Sequence, residues 1–244
     1  MKNDPYIVSA FLKAKEKENW PSDGTHPIVT ISRQCGAGGG EIALRTAEIL
    51  TLLSHGKQPW VVVDKDIAQR IIEAHHLPKQ IARYFTEEQT MSIEEHVEGI
   101  LGISVSGPTL LEKMTTTMVH LARMGHVVLV GRAANMITAK FPRAVHVRVI
   151  GSFARRVERI RELEKCSWEA AAAKIKTVDE NRRRFVATCF RVKIDDVSGY
   201  DMVFNTDRIS VEEAARMIAH LVSSPDFRNK EAGKLSELRH LVLG

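Results

Sequence analysis

The chain has 244 residues, 44% of them hydrophobic and 27% charged, so it can bury a continuous core and is too apolar to be a disordered segment. Three cysteines, Cys35, Cys166 and Cys189, without CxxC spacing exclude a disulfide framework and a zinc ribbon, and point to a reducing, cytoplasmic setting. The net charge of +5 conceals a local excess, because residues 132–193 hold 16 Lys and Arg against 6 Asp and Glu, a block suited to an anionic ligand or a solvated helix face.

Residues 1–27 are expected to be an N-terminal extension with one helix over 6–17 and a connector containing Pro and Gly; no secretion signal is visible in 1–23. Apolar runs at 28–32, 60–64, 127–131, 144–150 and 201–205 read as strands buried on both faces. None approaches the roughly 20 residues of a membrane helix. Helical patterns separate them, which predicts a doubly wound α/β fold with a mainly parallel, five-stranded sheet.

After the first strand a helix with Ile42, Thr46, Ile49, Leu50 and Leu53 turned inward is expected. About sixty residues between the second and third strands look helical, too many for an ordinary connection. They predict an inserted lobe over about 66–125, with an acidic patch at Glu87, Glu88, Glu94, Glu95 and Glu98. Its last helix places Leu110, Met114, Met118 and Leu121 on one face, with Gly125 as C-cap. Farther on, Ser210 and Glu213 form a capping box for a helix over 211–222 that buries Ala214, Ala215, Ile218 and Leu221. Residues 223–244 read as a tail with an accessory helix.

Between the first strand and its helix lies Gly36-Ala37-Gly38-Gly39-Gly40. Glycines let successive N–H groups converge on an oxyanion, and the following helix start adds partial positive charge, so this loop is read as a phosphate cradle. A dinucleotide fingerprint would need its third glycine at Glu41, and a phosphatase loop beginning at Cys35 would need an Arg there. The nucleotide-kinase pattern needs a Lys and a metal-binding hydroxyl side by side, whereas this chain has Gly39 and Gly40 followed by the carboxylate of Glu41. Glu41 reads more simply as a carboxylate favoured by the helix dipole, and Cys35 as a small packing residue.

The run Ile31-Ser32-Arg33-Gln34-Cys35-Gly36-Ala37-Gly38-Gly39-Gly40-Glu41-Ile42-Ala43 resembles the cytidylate kinase-like family, whose loops commonly read Ser-Arg and then Gly-x-Gly-Gly-Arg-Glu-Ile-Ala. Downstream, Asp64-Lys65, Gly131-Arg132, Val147-Arg148-Val149 with Arg155 and Arg156, Asp179-Glu180-Asn181-Arg182 and Asn205-Thr206-Asp207 continue the likeness in order over about 28–222. The departure is Gly40, where the family usually carries Arg. The resemblance implies a P-loop kinase-type fold with a helical lid over about 166–194, ATP and Mg2+ as cofactors, and CMP or dCMP as acceptor.

Several site residues follow. Residues Cys35 to Glu41 are assigned to the donor phosphates. Arg132, at the end of the third strand, is expected to hold the acceptor phosphate, as the matching Arg does in cytidylate kinases. Asp64 and Asp179 are expected at the acceptor, and Arg33, Arg155 and Arg182 are expected to supply the positive charge that phosphoryl transfer requires. Arg159 and Arg184 are weaker candidates, and the histidines show no metal-ligand spacing. The rival reading is a regulatory nucleotide-binding module that has lost catalysis with its loop cations. Nucleic-acid binding lacks the interleaved aromatics of a single-strand groove. The metal ligands and the oligomeric state, a homodimer included, stay open.

Overall fold

The computed structural model describes residues 26–64, 118–119, 121–131 and 133–229. The expected helix over 6–17, most of the inserted lobe with its acidic patch, Leu110, Met114, Arg132 and the end of the tail lie outside the described residues. Five strands form one sheet: β1 (Ile28–Arg33), β2 (Val61–Val63), β3 (Val127–Val130), β4 (Ala144–Ile150) and β5 (Met202–Asn205). Their order is β2-β3-β1-β4-β5 and every pairing is parallel. The chain leaves β1 toward one edge and β4 toward the other, so the C-terminal end of β1 lies at the switch point where doubly wound sheets bind ligands.

Helices cover both faces, which is why the strands read as unbroken apolar runs. Val29, Ile31, Val145, Val147 and Val149 pack against α1 (Gly39–Leu53) and α5 (Val211–Ser223), which contribute Ile42, Ala43, Leu50, Ala214 and Ile218. On the opposite face Ile28, Val127 and Leu129 meet Met118 and Leu121. The capping box at Ser210 and Glu213 is present, and Gly125 takes φ +66° with its N–H donating to Ala122 O. Leu53, expected inward, is 56% exposed because the buried stripe of α1 runs through Ala43, Thr46, Ala47 and Leu50 and its last turn passes beyond the sheet. Beyond α5 a short α6 (Pro225–Asn229) buries Phe227.

The remaining elements shape the C-terminal end of the sheet. A single turn, α2 (Ala134–Ile137), follows β3. Two helices, α3 (Phe153–Glu164) and α4 (Trp168–Phe190), follow β4, the second started by Ser167, whose side chain accepts from the Ala170 N–H.

The seam between β1 and β4 is polar on the face shared by Thr30, Ser32, His146 and Arg148. Thr30 Oγ1 lies 2.8 Å from His146 Nδ1, and Arg148 donates to Ser32 Oγ at 2.8 Å and to Asp195 at 2.7 Å. Burial pushes the His146 imidazole below its ordinary value, with Asp201 offsetting part of the shift. The folded state therefore binds fewer protons at His146 than the unfolded chain does, and its stability falls as pH drops from about 6.5 through the folded value. Denaturant unfolding of His146→Gln is expected to show a shallower loss of stability between about pH 7 and pH 5.5 than the parent chain. Parallel profiles would contradict this assignment.

Candidate functional site

The glycine loop is built from both sides. Gln34 continues β1 by donating to Val149 O, and Gly36 and Gly38 take φ +77° and +81° to turn the chain into α1. A Cβ on Gly36 would stand 2.6 Å from Arg156 O, and one on Gly39 would stand 2.7 Å from Arg33 Cβ, so glycine is required by space as well as by torsion. Gly38 is the N-cap of α1 and has no side chain to accept from the helix start. The N–H groups of Gly39, Gly40 and Glu41 thus point out of an uncapped helix end, the geometry that receives an oxyanion.

Beneath the loop, α3 and α4 hold it through one buried pair. Arg156, only 8% exposed, donates to Asp179 Oδ2 at 2.6 Å, to Cys35 O at 3.0 Å and to Gly151 O at 3.0 Å. Asp179 uses its other oxygen to accept from the Cys35 N–H at 2.7 Å. The start of α3 is fixed in turn by Asp207, which accepts from the Ser152 N–H, and by Gln34, which accepts from the Gly151 N–H. Burial pushes the Cys35 thiol above its ordinary value, with Arg182 opposing and Asp179 reinforcing the shift. Cys35 is accordingly a packed thiol whose peptide, rather than its sulfur, belongs to the loop.

Cations gather on the open side. Arg33, Arg148, Arg156, Arg182 and Arg183 line one cleft at the end of β1 and β4, with Asp179 and Asp195 as its carboxylates, leaving an excess of positive charge. Arg182 donates to Arg33 O at 3.2 Å and lies 3.7 Å from Asp179. The Arg33 guanidinium reaches across the end of β3 and lies on Gly131, where a Cβ would stand 1.9 Å from its Nη1. This cleft is what could stabilise charge on a phosphoryl group.

Not every candidate residue joins this arrangement. Arg33, Asp179 and Arg182 come together with the loop, whereas Arg155 is exposed on α3 and does not line the cleft. Its neighbour Arg156 takes the inward position because it shares the buried side of α3 with Val157 and Ile160. Asp64 directly follows β2, on the far side of β3 from β1, and is half-buried. Arg132 lies outside the described residues, between the described Gly131 and Ala133. Arg184 pairs with Glu180 on the exposed side of α4. Arg148 lacked a role in the sequence reading, yet a charged residue inside the apolar run of β4 was a visible signal; it is 5% exposed. Among the described residues no cluster of three or more His, Cys, Asp or Glu could hold a metal ion, and no helix is long and apolar enough to cross a membrane.

Removing Arg156 would strand the Asp179 carboxylate and two carbonyl groups. Arg156→Ala is expected to cost about 3–5 kcal/mol in denaturant unfolding, with Arg156→Lys recovering only part because an ammonium cannot reproduce the guanidinium fork. A loss below about 1 kcal/mol would show that the pair does not hold the loop.

The cytidylate kinase-like family profile matches residues 28–208. The cytidylate kinase of Pyrobaculum islandicum is 28% identical over 108 residues, which are 44% of this chain; the match spans 58% of the length of that relative. The crystal structure of an uncharacterized protein from Eubacterium ventriosum superimposes with a TM-score of 0.57 at 18% identity, covering 81% of this chain and 98% of that one, a likeness of fold.

Proposed function

Because this chain belongs to the cytidylate kinase-like family, we propose that it transfers the γ-phosphoryl group of Mg-ATP to a nucleoside monophosphate, with CMP or dCMP as the preferred acceptor, and that it does so in the cytoplasm. The observation that carries this reading is the uncapped start of α1 facing the same end of the sheet as the arginine-lined cleft. Donor phosphates would rest on the N–H groups of Gly36, Gly38, Gly39, Gly40 and Glu41, the Ala37 N–H being taken by Gln34 O. Arg33 and Arg182 would stabilise the charge that develops on the moving group, and Arg132 and Asp64 would engage the acceptor. Asp179 would orient Arg182 and the Cys35 peptide, and α4 would act as the lid that excludes water.

The chemistry asks little of the protein beyond position and charge. ATP fits the loop because successive glycines expose amides without side-chain obstruction, and nothing lies within 4 Å of a Cβ built on Gly40. Mg2+ supplies charge neutralisation between donor phosphates and fits here as an ion carried mainly by those phosphates and water, its usual mode. A second reading, a regulatory module that binds nucleotide without turnover, draws support from the glycines at 39 and 40, which leave the loop without a cation of its own.

The test is ADP release from Mg-ATP with CMP, dCMP, UMP, AMP and GMP offered separately. We expect release that depends on CMP or dCMP, and a fall in kcat/KM of roughly 10- to 1,000-fold for Arg182→Ala, with Arg132→Ala raising the acceptor KM. ATP binding without release under any acceptor would replace the kinase with the regulatory module. Gly131→Ala, which would displace the Arg33 guanidinium, is expected to lower kcat; an unchanged kcat would remove Arg33 from the groups that stabilise the moving phosphoryl.

A further inference from the structure

The loop reaches α1 with glycine at 39 and 40, the two positions where a cation would be expected, and the structure places a guanidinium from another helix at the neighbouring Gly38. A Cβ on Gly38 would stand 3.1 Å from Arg159 Nη2, 3.2 Å from its Cζ and 3.4 Å from its Nη1. The face of the Arg159 guanidinium therefore covers the residue whose left-handed torsion opens the start of α1. Its partner is Glu41 in the first turn of that helix, joined to it by a short ion pair.

The other arginines are committed elsewhere. Arg156 is buried beneath the loop on Asp179 and two carbonyls, Arg33 lies on Gly131, and Arg182 donates to Arg33 O. Arg159 alone among these spans the loop at Gly38. Its side chain is 31% exposed and that of Glu41 is 51% exposed, so the pair is reached by solvent and is the weak kind of ion pair. A polyphosphate carries more charge than one carboxylate and presents oxygens that match a guanidinium in pairs, so it would win Arg159 from Glu41.

We propose that Arg159 is a phosphate-binding residue of this site, supplying from α3 the cation absent at Gly39 and Gly40, with Glu41 as the internal anion that holds it across the loop until donor phosphates arrive. The inference rests on the nucleotide-binding reading above and deepens it. It explains how a loop with a carboxylate in place of a hydroxyl still presents positive charge. It also gives the loop a geometric reason for Gly38, because any side chain there would press on the guanidinium plane.

The test uses the full chain and four proteins: the parent, Arg159→Ala, Arg159→Lys and Glu41→Gln. Each is titrated calorimetrically with Mg-ATP, with inorganic tripolyphosphate and with CMP, and its melting temperature is recorded. Arg159→Ala is expected to weaken Mg-ATP and tripolyphosphate by roughly 10- to 100-fold, the worth of a hydrogen bond to a charged group, and to change CMP affinity by less than about twofold. Arg159→Lys should restore part of the loss, and Glu41→Gln should tighten tripolyphosphate binding because its competitor is gone. Parent-like binding of Mg-ATP and tripolyphosphate by Arg159→Ala overturns the inference while leaving the kinase reading intact. Glu41→Gln weakening both ligands as much as Arg159→Ala does would also overturn it, by showing that the pair only braces the loop. Failure of the parent to bind either ligand overturns the nucleotide reading and this inference together.

Discussion

The site depends on one buried contact, the pair of Arg156 and Asp179 closed on the Cys35 peptide. The guanidinium satisfies Cys35 O and Gly151 O while the carboxylate satisfies the Cys35 N–H, so both polar groups of a single loop residue are held from outside the loop. A run of glycines has the largest entropy to lose on folding and cannot order itself through side-chain packing. Here the order is imposed by α3 and α4, whose Arg156 and Asp179 hold the loop and also line the cleft rich in arginine.

The same contact divides the labour among the cations. Arg156 is spent on structure, Arg33 and Arg182 line the cleft, and Arg159 lies across Gly38. Asp179 is an unusual element in a site for phosphate, since it is an anion beside the loop. Its charge is matched by Arg156 at 2.6 Å and approached by Arg182 at 3.7 Å, so it acts as an anchor for arginines more than as a repellent for ligand.

Much of this was legible in the residues. Apolar runs without alternation marked parallel strands because helices cover both faces, and all five expected strands are present in a parallel sheet. The glycine run was legible because only such a sequence can turn from β1 into α1 with two left-handed residues and with backbone from α3 close behind it. The choice among Arg155, Arg156 and Arg159 was not, since adjacent and four-apart arginines on one amphipathic helix differ only in which side the helix presents to its neighbours. Spacing put Arg155 and Arg159 on one face, but packing turned Arg156 inward with Val157 and Ile160. Leu53 misled for a related reason: it continues the apolar period of α1 one turn past the sheet that would bury it.

The proposed function turns on whether the loop over 36–41 receives phosphate. Backbone amide resonances followed by NMR during titration of the full chain with Mg-ATP test it at the atoms concerned. The largest shifts are expected on the N–H groups of Gly36, Gly38, Gly39, Gly40 and Glu41, saturating together. Saturable shifts that spare these amides and appear elsewhere on the chain would contradict it.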